Sequence, residues 1–134
     1  LEMKLRRINK FAISQGESHE QLIDATFINP KDVIIFISNS GKTKEIISSA
    51  LLAKDKKAKI VSITKIGSSM LADLSDVVLY TNSLEGEFRS GAMTSRISQM
   101  CMIDALFAMC AYVDIDRSVR TLEMTYKTFK KFKR

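Results

Sequence analysis

The sequence predicts an α/β domain, a doubly wound parallel β-sheet flanked by helices, and three observations predict it. Short β-branched runs alternate with helix-length amphipathic segments along the whole chain. The run "DVIIFIS" at 32–38 is apolar on both faces, as an interior parallel strand covered on both sides must be. Directly after it, "SNSGKTKE" at 38–45 turns through small hydroxyl residues into a helical pattern, the strand-to-helix joint of this fold class.

The elements follow in order. "KFAIS" at 10–14 reads as a strand and "SHEQLIDATFI" as a helix, with Ser18 placed to cap it. A turn at Asn29–Pro30 leads into the apolar strand. In the next helix Ile46, Ile47, Ala50 and Leu51 form one apolar stripe at helical spacing. "KIVSITKI" is a strand, "SSMLADLSD" a short helix and "VVLYTN" a further strand. "EGEFRSGA" at 85–92 is a glycine-containing loop, and "MTSRISQMCMIDALFAMCAYVD" a long helix. That helix is apolar all round: Ile97, Met100, Cys101, Ala105 and Ala108 mark one face, while Ile103, Leu106, Phe107 and Cys110 cover others. It therefore needs cover all round, and a second subunit is one source of it. In the closing segment Ile115, Val119, Leu122, Tyr126 and Phe129 make a narrow seam, suited to a partner helix or to its own domain.

Composition bounds the function. The chain has 134 residues, 46% hydrophobic and 27% charged, ordinary values for one folded domain. The richest apolar segment, "MCMIDALFAMCAYV", falls below spanning length and contains Asp104, so no membrane helix is predicted. No signal peptide opens the chain. Cys101 and Cys110, nine residues apart on one helix, stand about 13 Å apart along its axis, too far for a disulfide. They read as buried thiols of a reducing, cytoplasmic compartment. The formal charge of +6 is carried entirely by residues 117–134, where seven basic residues face Glu123 alone. Such a tail either touches nucleic acid or an acidic partner, or is the solvated face of a terminal helix.

"SGKT" suggests a nucleotide-binding P-loop, but that motif needs a glycine five residues before Gly41, where Phe36 stands inside a strand. Another phosphate chemistry survives. Amides at a helix N-terminus starting near Gly41, the helix dipole, and the hydroxyls of Ser38, Ser40 and Thr43 supply donors to an anion. Gly41 admits close backbone approach, and Asn39 and Gly41 count with the hydroxyl residues as candidate ligand-binding positions. The alternative is that Ser40 merely caps the helix and Thr43 bonds back to a carbonyl.

"FISNSGKTKEII" resembles the phosphate-binding signature of the SIS (sugar isomerase) domain. "FRSGAMTSRISQMCMIDALF" at 88–107 and "LRRINKFAISQGESHEQLIDATFINPKDVII" resemble segments of the effector domain of RpiR-type transcriptional regulators. The resemblance implies a flavodoxin-like, five-stranded parallel sheet, assembled as a homodimer or higher oligomer. It implies a sugar phosphate contacted by Ser38, Ser40 and Thr43, with a carboxylate, Glu87, near the sugar. The family's first strand and its ligand-touching serine precede the segment that matches Leu1. That strand lies between the two strands placed here at 10–14 and 33–38. The chain then reads as a SIS domain over residues 1–134 lacking its first strand, with the DNA-binding helix-turn-helix domain elsewhere in the parent.

Isomerase chemistry would need a base and a ring-opening group. Glu87 can be the base. His19 can project into the pocket or a partner's pocket, or simply lie at a helix start. Arg89 is a possible ligand or interface residue, or an anchor for its own loop, and Lys42 faces outward. Asp104 is a buried cap, an interface hydrogen-bonder or, less simply, catalytic. No catalytic set, metal cluster or cofactor site declares itself. The leading expectation is a phosphosugar-sensing effector domain; the alternative is an aldose–ketose isomerase.

Overall fold

Strand pairing decides the architecture. The computed structural model describes residues 1–82 and 93–132. They form α1 (Glu2–Arg7), α2 (Ser18–Phe27), β1 (Val33–Ile37), α3 (Lys44–Asp55), β2 (Lys59–Lys65), α4 (Met70–Leu74), β3 (Val77–Thr81), α5 (Met93–Tyr112) and α6 (Ile115–Phe132). The three strands make a parallel sheet in the order β1-β2-β3. Val33 pairs with Lys59 through Ile37 with Ile63, and Val61 with Val77 through Lys65 with Thr81. Each parallel pair requires a crossover, which α3 and α4 supply.

Contacts divide the chain into two units, Gln15–Met102 and Leu1–Ser14 with Ile103–Arg134. In the first, Phe36, Ile47, Ala50, Ala53, Ile60 and Leu71 form the core. Each of the large side chains stabilises the fold by about 1.5–3 kcal/mol on burial. The stripe expected on α3 is present in part. Ile47 and Ala50 are buried, joined by Ala53, whereas Leu51 is exposed.

Among the described residues β2 is the strand with a neighbour on both sides, and β1 lies at an edge. Ile60, Ser62 and Thr64 on one face and Ile63 on the other are sealed. β1 has a neighbour on one side only among the described residues, so Val33 and Ile37 stay exposed despite their apolar run. "KFAIS" is not a strand. Residues 10–14 lack regular structure, and Phe11 is 90% exposed. A strand exists only by pairing, and none of the described strands offers this segment a ladder. Three strands are described where the resemblance implied five.

Asp76 ties the sheet together ahead of β3. Its carboxylate accepts the Ile60 amide at 2.8 Å and the Lys59 ammonium at 3.0 Å. The Ile60 amide bond above all, then Lys59, holds its carboxyl below the ordinary value of 3.8.

In the second unit α1, formed by the charged start of the chain, contacts α6. Ile8 is buried, and Asn9 at φ 57° turns the chain behind it. Asp104 is exposed, not buried, and pairs with Lys4, whose ammonium lies 5.7 Å from the Phe107 ring centre. Along α5 the face Ile97, Met100, Cys101, Ala105 and Ala108 is exposed while Ile103, Leu106, Phe107 and Cys110 are half-buried. The expectation of two buried thiols fails at Cys101, which belongs to the uncovered face. On α6 Leu122 is half-buried, but Ile115, Val119, Tyr126 and Phe129 remain exposed. Among the described residues no single helix is long and apolar enough to cross a membrane.

Candidate functional site

The carboxyl end of β1 opens onto a cavity of about 410 Å³, lined by Ile37, Ser38, Asn39, Ser40, Thr43, Ile46 and Lys65. Four of the sequence-predicted residues meet here. Ser38 extends the ladder, its amide bonded to the Ile63 carbonyl at 3.0 Å, and is buried. Its Oγ lies 3.3 Å from Thr43 Oγ1 and accepts the Gly41 amide at 3.2 Å. Ser40 is exposed and accepts the Lys42 amide at 3.3 Å.

The helix starts later than the sequence suggested. Thr43 is the residue before α3, and its carbonyl receives the first helical bond, from Ile47 at 3.0 Å. Gly41 cannot belong to the helix because its φ is +60°. It sits in a hydroxyl-bonded turn whose amides at 41 and 42 are already occupied by Ser38 and Ser40. The helix-end amides that precede the first intrahelical bond are therefore those of residues 44–46. Neither alternative role holds as stated. Ser40 bonds a turn rather than capping α3, and Thr43 meets Ser38 rather than a carbonyl. Ser18 likewise is the first residue of α2, behind Glu17, and makes no capping bond.

Neighbouring segments hold this turn in shape. The Asn39 carbonyl accepts both Thr64 Oγ1 at 3.2 Å and the Lys65 amide at 3.1 Å. The Gly41 carbonyl accepts the Leu71 amide at 3.1 Å. A Cβ on Gly41 would fall 2.3 Å from Ser69 Oγ and 2.7 Å from Ser69 Cβ, so only glycine fits. Ser69 in turn accepts the Ala72 amide and caps α4.

Other predicted residues stand apart. His19 is exposed on α2 and does not line the cavity; Lys42 is exposed and also outside the lining. Glu87 and Arg89 lie outside the described residues. Among those described, no group of three or more His, Cys, Asp or Glu could hold a metal. The sequence reading missed Lys65, the last residue of β2. Its signal was position, since the carboxyl ends of neighbouring parallel strands open on one crevice.

The sequence model of the SIS domain matches residues 1–109. The chain belongs to the SIS domain family. Over 123 residues it is 42% identical to an uncharacterised HTH-type transcriptional regulator of Caldanaerobacter subterraneus, covering 92% of this chain and 44% of that protein. It is 26% identical over 122 residues to the HTH-type transcriptional regulator RpiR of Escherichia coli, covering 91% of this chain and 41% of RpiR. The structure of the Vibrio vulnificus NanR protein complexed with ManNAc-6P superposes with a TM-score of 0.86 at 28% identity. That match covers 97% of this chain and 49% of NanR. The SIS domain chain thus spans less than half the length of these relatives, and its parallel α/β fold matches that of the NanR structure.

Proposed function

We infer that this SIS domain is the phosphosugar-sensing effector domain of an RpiR-type transcriptional regulator. The observation that carries the reading is the convergence of the Ser38, Ser40 and Thr43 hydroxyls on one cavity ahead of the α3 N-terminus. Hydroxyl donors, helix-end amides and the dipole all favour a phosphate group. The NanR likeness supports a sugar phosphate as ligand, because NanR holds ManNAc-6P. Similarity to RpiR supports a regulatory setting, in which a helix-turn-helix domain outside residues 1–134 contacts DNA. In this reading Ser38, Asn39, Ser40, Gly41 and Thr43 form the phosphate end of the site. Glu87 approaches the sugar, and His19 and Arg89 reach ligand or partner in the assembled protein. The exposed apolar face of α5 supports assembly as a homodimer or higher oligomer.

The domain senses its ligand without turning it over, and it acts in the cytoplasm, where its regulator relatives meet DNA. Calorimetric titration of the full chain with a panel of sugar phosphates tests the reading. Saturable binding with no product in a coupled isomerase assay supports it. Failure of every phosphosugar to bind refutes it, and turnover abolished by Glu87→Gln would reassign the domain to isomerisation.

A further inference from the structure

We propose that Lys65 is an anion-binding residue of the β1–α3 cavity, its ammonium conferring preference for the dianionic form of a phosphate monoester. The proposal rests on the phosphosugar reading and adds to it a charge that the hydroxyl motif does not contain.

Lys65 closes β2, and its amide is bonded to the Asn39 carbonyl at 3.1 Å. Its backbone is thereby fixed to the turn that carries Asn39 and Ser40. Its exposed side chain lines the cavity together with Ser38, Asn39, Ser40 and Thr43. The remaining lining residues, Ile37 and Ile46, are apolar. Among the described residues Lys65 is the one charged side chain in that lining, and none of them contributes a carboxylate to it.

Among the described residues the ammonium is in no ion pair. Lys4 pairs with Asp104 and Lys59 with Asp76, but Lys65 has no acidic partner among the described residues. The nearby Lys42 and Lys44 do not line the cavity. A lysine ammonium is a compact charge with three donors on a flexible stem, able to follow a phosphate oxygen without a rigid fork. Hydroxyls and helix-end amides recognise tetrahedral oxygens. A full positive charge adds discrimination by ligand charge, rejecting the unphosphorylated sugar and favouring the dianion.

Calorimetry on the full chain, with inorganic phosphate and hexose 6-phosphates as probes, at low and high sodium chloride, tests this. Lys65→Met is expected to weaken phosphate binding roughly ten- to a hundredfold. It should also flatten the salt dependence, since salt screens an exposed charge. Lys65→Arg keeps the charge and should bind within about threefold of wild type, scaled against the ordinary gain of a charge-assisted bond. If Lys65→Met binds like wild type with the same salt response, the role of Lys65 is overturned while the phosphosugar reading stands. Equal loss in the Met and Arg variants assigns the effect to shape and overturns it too. Wild type that captures none of the probes sinks both the reading and the residue.

Discussion

Gly41→Ala tests the site turn more sharply than any change to its hydroxyls. With φ at +60°, an alanine carries a left-handed backbone cost of about 1–2 kcal/mol. The new Cβ would also stand 2.3 Å from Ser69 Oγ and 2.7 Å from Ser69 Cβ. Relieving such an overlap in a packed site costs about 1–3 kcal/mol more. The expected loss is therefore about 2–5 kcal/mol in urea unfolding followed by far-UV circular dichroism. Ser69→Gly removes both clashing atoms. As a cap replacement it should itself cost only a few tenths of a kcal/mol, about the difference between serine and glycine there. In that background the nearest remaining atom to the added Cβ is Thr64 Oγ1 at 3.1 Å. Gly41→Ala should then cost only its backbone share, leaving a coupling of about 1–3 kcal/mol in the double-mutant cycle. A coupling below about 0.5 kcal/mol, or a neutral Gly41→Ala, would refute the claim that two segments meet at this glycine.

Three further outcomes are expected. Ser40→Ala should reduce phosphate affinity by about 1–3 kcal/mol in calorimetry while leaving the unfolding midpoint nearly unchanged, because its hydroxyl is exposed. Folding holds the Asp76 carboxyl below 3.8, so its stabilising share is complete above that value and is lost as pH falls through the lower folded one. Asp76→Asn should accordingly flatten the fall in urea midpoint on acidification below 3.8; an unchanged acid limb would count against the staple. Met100→Glu, on the exposed face of α5, should give smaller species than the unaltered protein in light scattering if that face carries the proposed assembly, and an unaltered mass would refute that role for it.

Much of the fold was legible because its signals are local. The β2, α4, β3 and α5 segments carry local periodic signals and lie close to where the sequence places them, as does α3 apart from its start. What failed was what depends on neighbours. "KFAIS" has strand composition, yet pairing is a property of two chain segments, and no described strand meets it. The apolar run of β1 predicts cover on both sides, but which strand lies beside it is a matter of topology, and among the described residues only β2 does. The start of α3 was misplaced because only the backbone angle of Gly41 reveals that the turn continues to Thr43. Ser38, Ser40 and Thr43 could be found from their spacing; Lys65 is 22 residues beyond Thr43, and only the register of β1 on β2 brings it alongside.

The doubly bonded Asn39 carbonyl has a consequence for signalling. Because two groups of β2 bond the Asn39 carbonyl, the turn is held in shape, and the proposed phosphosugar would bind there at little cost in conformational entropy. A rigid receptor is a poor lever. In the proposed sensing role, movement that reports occupancy is expected to originate in segments that this clamp leaves untouched, so spectroscopic labels for allosteric change belong away from residues 38–43.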